Sequence, residues 1–285
     1  MQSYPDVDGD GLKPGNDARL CWHRSEGMRT DTALLYLHGF TGSPGEAGDL
    51  PDRMATELGA NLYAHRWPGH GLRSHDAMKG LTLERLQASA LDALSKAREL
   101  GEMVVIVGSS LGAALGLWLA SVRPTDVAAV VAWSPGVRPA NPELLDQLCA
   151  AQEPVTHPRY WSLEASMYSS DIVHPDGYRA LKRLFDFFVA SPPWSRVTCP
   201  VFLGYFRSPD GEEDQTASVP AMLDMYQALG TASTLKHSQA FATGVHSIGS
   251  PYKSPLAVQV ARDSVAFLAR KVGVGASRGP WKDQG

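Results

Sequence analysis

Short apolar runs alternate with helical stretches along most of this chain. The runs are "ALLYLHG" (residues 33–39), "NLYAHRW" (61–67), "MVVIVG" (103–108) and "VAAVVAWS" (127–134). They are mostly apolar rather than alternating, as strands covered on both faces tend to be. Between them, "TLERLQASALDALSKAREL" places Leu83, Leu86, Ala90, Leu94 and Ala97 at helical spacing, with Gly101 as a stop. Residues 111–122 read as another helix, ending before Pro124. This order dictates a mostly parallel sheet with helices on both faces.

The alternation breaks at residues 136–198. No clear strand is read there; "NPELLDQLCAAQ" and "GYRALKRLFDFFV" are helical pieces among prolines and aromatics. The sheet pattern resumes with "PVFLGYF", a helix through "PAMLDMYQALG", a strand near "STLKHSQAF" and a last helix over about 255–271. The expected organisation is a flexible arm over 1–18, a domain over 19–272 interrupted by a helical cap at about 136–198, and a disordered tail over 273–285.

Bulk composition narrows the function classes. Of 285 residues, 26 are basic and 30 acidic, and no basic run occurs, so neither nucleic acid nor anionic membrane is an expected partner. No run of about 18 apolar residues suggests a transmembrane segment. The first residues lack a basic start and an apolar stretch, so no secretory signal is read. Cys21, Cys149 and Cys199 are widely spaced and odd in number, which fits reduced thiols in a cytoplasmic protein. In "DVDGDG", Asp6, Asp8, Asp10 and Gly11 resemble the start of a calcium loop, and Asp17 falls at its twelfth position. Lys13 and Pro14 interrupt it and the last ligand is not glutamate, so the segment reads as an acidic arm.

Chemistry concentrates in "VIVGSSLGAALG". Gly108-Ser109-Ser110-Leu111-Gly112 fits G-x-S-x-G between a strand and a helix. A serine on so sharp a turn lifts its hydroxyl above the sheet, and the flanking positions must lack side chains. Ser110 is therefore the candidate nucleophile and Ser109 its supporting neighbour. An attacking serine needs a base and donors for a developing oxyanion. The turn His38-Gly39-Phe40 in "YLHGFTGSPGE" offers donors, and the backbone N–H groups of Phe40 and Leu111 are the expected pair. His246, in the loop "AFATGVHSIGS" after the last strand, is the expected base. The acid should lie in "RSPDGEEDQTASVPAM", where Asp210 and Asp214 both qualify. Asp210 comes sooner after the strand. Asp214 has the more usual offset to the next helix, with Ser218 as N-cap, and is preferred; Asp210 stays open. Glu212 and Glu213 read as solvated charges. Of the cap aromatics (Tyr160, Trp161, Tyr168, Phe185, Phe187, Phe188 and Trp194), most should form the cap's own core and a few should face the site.

Taken together, "HGFTG", "RWPGHG", "GSSLG", the late aspartate and "GVHSIGS" resemble the α/β-hydrolase superfamily, near its monoacylglycerol-lipase-like serine carboxylesterases. The resemblance spans about residues 33–271. It implies a mostly parallel central sheet flanked by helices, with a helical cap inserted after the sixth strand. It implies Ser110 as nucleophile, His246 as base, Asp214 as acid, and Phe40 and Leu111 as oxyanion donors. "GHG" at 69–71 becomes a structural loop. The serine argues against the relatives that carry aspartate at that position. The implied substrate is a short- or medium-chain acyl ester or a monoglyceride-like ester, with no metal or organic cofactor. An acyltransferase or amidase using the same residues, and a non-catalytic ligand-binding relative, are the alternatives. A homodimer stays open.

Overall fold

The computed structural model describes residues 11–156 and 162–273. Seven strands form one sheet: β1 (Arg19–Cys21), β2 (Thr30–Leu37), β3 (Asn61–His65), β4 (Gly101–Ser109), β5 (Val127–Trp133), β8 (Val201–Phe206) and β9 (Lys236–Phe241). The spatial order is β1-β3-β2-β4-β5-β8-β9. Only the β1–β3 pairing is antiparallel. From β2 the chain crosses to β3 on one side, then returns to β4 on the other. The direction of winding thus reverses between β2 and β4, and crevices for ligands open at the carboxyl ends of strands at such a point.

Successive side chains of the central strands point to opposite faces. Leu35 and Leu37 of β2, with Val104 and Ile106 of β4, join a core beneath α2 (Leu83–Leu100) and α3 (Leu111–Val122). Leu34, Tyr36, Val105 and Val107 join the opposite core beneath α1 (Leu50–Leu58) and α8 (Ala257–Val272). Helix α2 starts where Thr82 accepts the Arg85 N–H, as Ser and Thr caps do. Nearly every residue of α3 is buried. Its small residues let it lie close on the sheet: a methyl on Gly116 would come within 2.9 Å of Ile106 Cγ2.

The insertion differs from expectation in two respects. It follows the fifth strand among the described residues, not the sixth, because only the short β1 precedes β2. It also contains a small antiparallel ladder, β6 (Val155–Thr156) with β7 (Ile172–Val173). Two residue pairs are too short to leave a recognisable pattern in sequence. The helices are α4 (Pro142–Ala150), α5 (Leu163–Met167) and α6 (Pro175–Ala190). The sheet part then adds α7 (Val219–Ala228), capped by Ser218.

Residues 11–18, expected within a flexible arm, are tied to the body. Leu12 bridges Leu72, the Lys13 N–H donates to Gly71 O at 2.9 Å, and Asn16 is fully buried. Gly71 has φ +74°, and a methyl there would come within 2.8 Å of Asn16 Cβ, so this loop serves packing. The acidic positions Asp6, Asp8 and Asp10, the aromatics Tyr160 and Trp161, and the tail from 274 lie outside the described residues. Among those described, no helix is long and apolar enough to cross a membrane. Cys21, Cys149 and Cys199 are unbridged and half-buried. Burial pushes the Cys199 thiol up to about 12.

Candidate active site

The loops after β2, β4, β8 and β9 meet at the carboxyl edge of the sheet. Ser110 sits between β4 and α3 at φ +50°, a strained value for a residue with a side chain. The flanking glycines explain how the turn closes. A methyl on Gly108 would lie 2.5 Å from Ala113 Cα, and one on Gly112 only 2.0 Å from the Leu37 carbonyl oxygen. The backbone is pinned on both sides: the Ser110 N–H donates to Trp133 O at 2.9 Å, and its carbonyl accepts the Gly136 N–H at 3.0 Å. Ser109 ends β4 and, like Ser110, borders a cavity at this edge.

His246 lies 2.7 Å from the Ser110 hydroxyl through Nε2, and 2.5 Å from Asp214 Oδ2 through Nδ1. Asp214 can only accept when ionised, so Nδ1 carries the proton and Nε2 is left to accept the serine proton. The Asp214 side chain has no exposed surface. Its other oxygen accepts the Thr216 and Ala217 N–H groups at 2.7 and 3.1 Å. Burial alone would raise its pKa. The His246 charge and hydrogen bond, with the two backbone donors, outweigh burial and bring the carboxyl below its ordinary value.

Asp210 stands apart, exposed at the tip of a turn. The long loop after β8 doubles back on itself. Arg207 bridges Glu213 across it and holds the Glu213 carboxylate at 2.5 Å, while the Ser208 N–H donates to Glu212 O. The excursion over 208–212 brings the chain back almost to its start. Asp214 is therefore near the strand end in space though not in sequence. Glu213, read as a solvated charge, is instead the Arg207 partner.

Phe40 and Leu111 border the edge from two sides. Leu111 is the first residue of α3, where an N–H has no acceptor within the helix. Phe40 follows a turn whose peptides are fixed. The Trp67 N–H donates to His38 Nε2 at 3.1 Å, which leaves the His38 proton on Nδ1, donating to Gly39 O at 2.8 Å. Gly39 O also accepts the Gly42 N–H at 3.1 Å. A trans peptide points N–H opposite to C=O, so anchoring Gly39 O aims the Phe40 N–H the other way. Burial, aided by nearby His70, keeps the His38 pKa well below its usual range. It is a neutral donor within the turn.

Sequence reasoning missed Glu46. It lies in the short 3-10 turn Pro44–Ala47 and is buried. Its Oε1 accepts the Gly39 N–H at 2.6 Å and the Tyr36 hydroxyl at 3.3 Å. Burial pushes its carboxyl above the ordinary range, against the opposing pull of Lys253 and these donors. The available signal was a lone glutamate seven residues beyond the glycine of the turn; nothing in spacing alone marks it.

A cavity of about 240 Å³ opens beside Ser110. The cap supplies an apolar wall: Leu144, Leu145 and Leu148 from α4, and Tyr178, Leu181 and Phe185 from α6. Of the cap aromatics, Phe185 borders the cavity, while Phe188 packs on Trp194 with ring centres 4.8 Å apart and Tyr168 stacks on Tyr252 at 5.2 Å.

The family model described as "Alpha/beta hydrolase family" matches residues 34–279, and the chain belongs to that family. Among solved structures it is similar to a metagenome-derived lipolytic enzyme, LipS or LipT, at TM-score 0.76 and 20% identity, covering 91% of this chain and 100% of that one. It is similar to the monoacylglycerol lipase of Paleococcus ferrophilus at TM-score 0.67 and 18% identity, covering 95% and 100%. It is also similar to Est1E of Butyrivibrio proteoclasticus with bound ferulic acid, at TM-score 0.61 and 15% identity, covering 92% and 98%. At these identities the likeness establishes the fold. No curated protein matches the sequence.

Proposed function

We propose that this protein is a serine hydrolase of carboxylic esters that works through an acyl-enzyme. The observation that carries the reading is His246, hydrogen-bonded to Ser110 on one side and to buried Asp214 on the other, beside an apolar cavity. In this reading Ser110 Oγ attacks the ester carbonyl as its proton passes to His246 Nε2. Asp214 holds the imidazole and stabilises its charged form. The N–H groups of Phe40 and Leu111 receive the oxyanion. His246 then returns the proton to the departing alcohol. Water, deprotonated by the same nitrogen, attacks the acyl carbon and releases the acid and Ser110.

The apolar cap wall and the modest cavity favour a short- or medium-chain acyl ester, or a monoglyceride-like ester. The lipases and esterases among its structural neighbours support the same class. A serine-directed phosphonate should add covalently to Ser110 in the intact protein, and a panel of esters of graded acyl length should show turnover with an optimum. Absence of labelling would leave a non-catalytic binder. Faster product formation with an added alcohol or amine acceptor than with water would make it an acyltransferase.

A further inference from the structure

The geometry points to Glu46 as the positioning residue of the oxyanion donor, acting through the Gly39 peptide. This rests on the reading of Ser110 and the 38–40 turn given above. Glu46 never needs to touch the substrate's reacting atoms.

The turn has two consecutive peptides to orient. The Gly39–Phe40 peptide is held by its carbonyl, which accepts from His38 Nδ1 and the Gly42 N–H. The preceding His38–Gly39 peptide is held by its N–H, which donates to Glu46 Oε1 at 2.6 Å. Without that acceptor the Gly39 N–H would be buried and unsatisfied, and glycine is the residue freest to rotate away. Rotation at Gly39 swings the next N–H, that of Phe40, off its line to the oxyanion.

Glu46 is itself held firmly. Its N–H donates to Ser43 O at 3.0 Å, and its carbonyl accepts the Ser250 hydroxyl at 2.6 Å. Gly42 makes room for its carboxylate, since a methyl there would meet Oε2 at 2.2 Å, and Gly39 lies in ordinary contact range of both Oε1 and Ser110 Cβ. The carboxylate, the turn and the serine are thus packed in direct sequence. A buried glutamate is costly to place, and simple packing would be met by an apolar side chain of similar size.

The acceptor, not the charge, is what the arrangement requires. Glu46→Gln keeps an oxygen for the Gly39 N–H, while Glu46→Met fills the space without one. Loss of a whole oxyanion donor costs about a hundred- to a thousandfold in turnover; a misaimed donor should cost roughly ten- to a hundredfold. The experiment measures kcat and KM for an ester, the phosphonate labelling rate at Ser110, and the melting profile of each variant. The expected result is that Met lowers kcat and the labelling rate together by that factor, with KM within about twofold, while Gln stays within about threefold of wild type. Met at the wild-type rate overturns the proposal. So does an equal loss in Gln and Met, since the charge would then be the active property. If Met fails to fold while Gln folds, Glu46 serves stability and the proposal falls as well. Wild-type protein that the phosphonate does not label defeats the underlying serine-hydrolase reading, a distinguishable outcome.

Discussion

The sheet edge around Ser110 and the cap above it are built to opposite standards. At the edge, the turn has no spare volume: methyl groups on Gly108 or Gly112 would collide with backbone atoms, and every polar partner of His246 and Asp214 described above is fixed. In the cap, α4 buries only Leu145 fully, while Leu144 is 50% exposed and Leu163 of α5 is 88% exposed. The edge is constrained by backbone, which no side-chain exchange can relieve. The cap is constrained by side chains, which can be exchanged. Chemistry should therefore be brittle and substrate choice pliable.

The largest effect expected from this contrast is at the serine. Ser110→Ala should cost roughly a millionfold in turnover, as loss of a triad nucleophile does, and Ser109→Ala should leave much of it. Ester hydrolysis kinetics decide this, and a dead Ser109→Ala beside an active Ser110→Ala would reverse the assignment. Next, Asp214→Asn should cost roughly ten-thousandfold by favouring the wrong imidazole tautomer, in a protein that still folds. Asp210→Asn should stay near wild type, because an exposed loop charge contributes little.

In the cap, Leu148→Trp should narrow the cavity that Leu148 lines and shift the acyl-length optimum downward. The longest accepted ester should lose roughly ten- to a hundredfold in kcat/KM, the scale set by a single methylene group in an apolar pocket. An unchanged profile would remove this wall from substrate selection. The smallest change is gradual and comes from pH. The Asp214 carboxyl titrates below its ordinary value, held there against burial by His246 and the Thr216 and Ala217 N–H groups. The sign follows: its contribution to stability is present above the unfolded value of about 3.9 and is lost as pH falls through the lower folded value. Asp214→Asn should flatten acid unfolding in that window, read by a spectroscopic titration.

How much of this was legible beforehand depended on range. The cap at Ser218, the helical spacing from Leu83 to Ala97 and the helix of residues 111–122 could be read because caps and apolar periodicity act within a few residues. So could the crowded turn, since G-x-S-x-G states its own requirement. The β6–β7 ladder could not, because two residue pairs carry no periodicity. Nor could the hold on residues 11–18, whose partners Gly71, Leu72, Met167 and Ser169 lie far along the chain.

The sequence by itself determined the apolar alternation, the parallel sheet and the order in which serine, aspartate and histidine occur along the chain. Tertiary structure alone decided which aspartate faces His246, because the Arg207–Glu213 bridge folds five residues out of the path. It alone decided that Glu46 reaches the Gly39 N–H and that Leu144, Leu145 and Leu148 of α4 oppose Leu181 and Phe185 of α6 across a cavity. The reason is physical. Local patterns fix backbone conformation through neighbouring torsions and hydrogen bonds, whereas a contact between distant residues depends on where whole strands and loops come to rest.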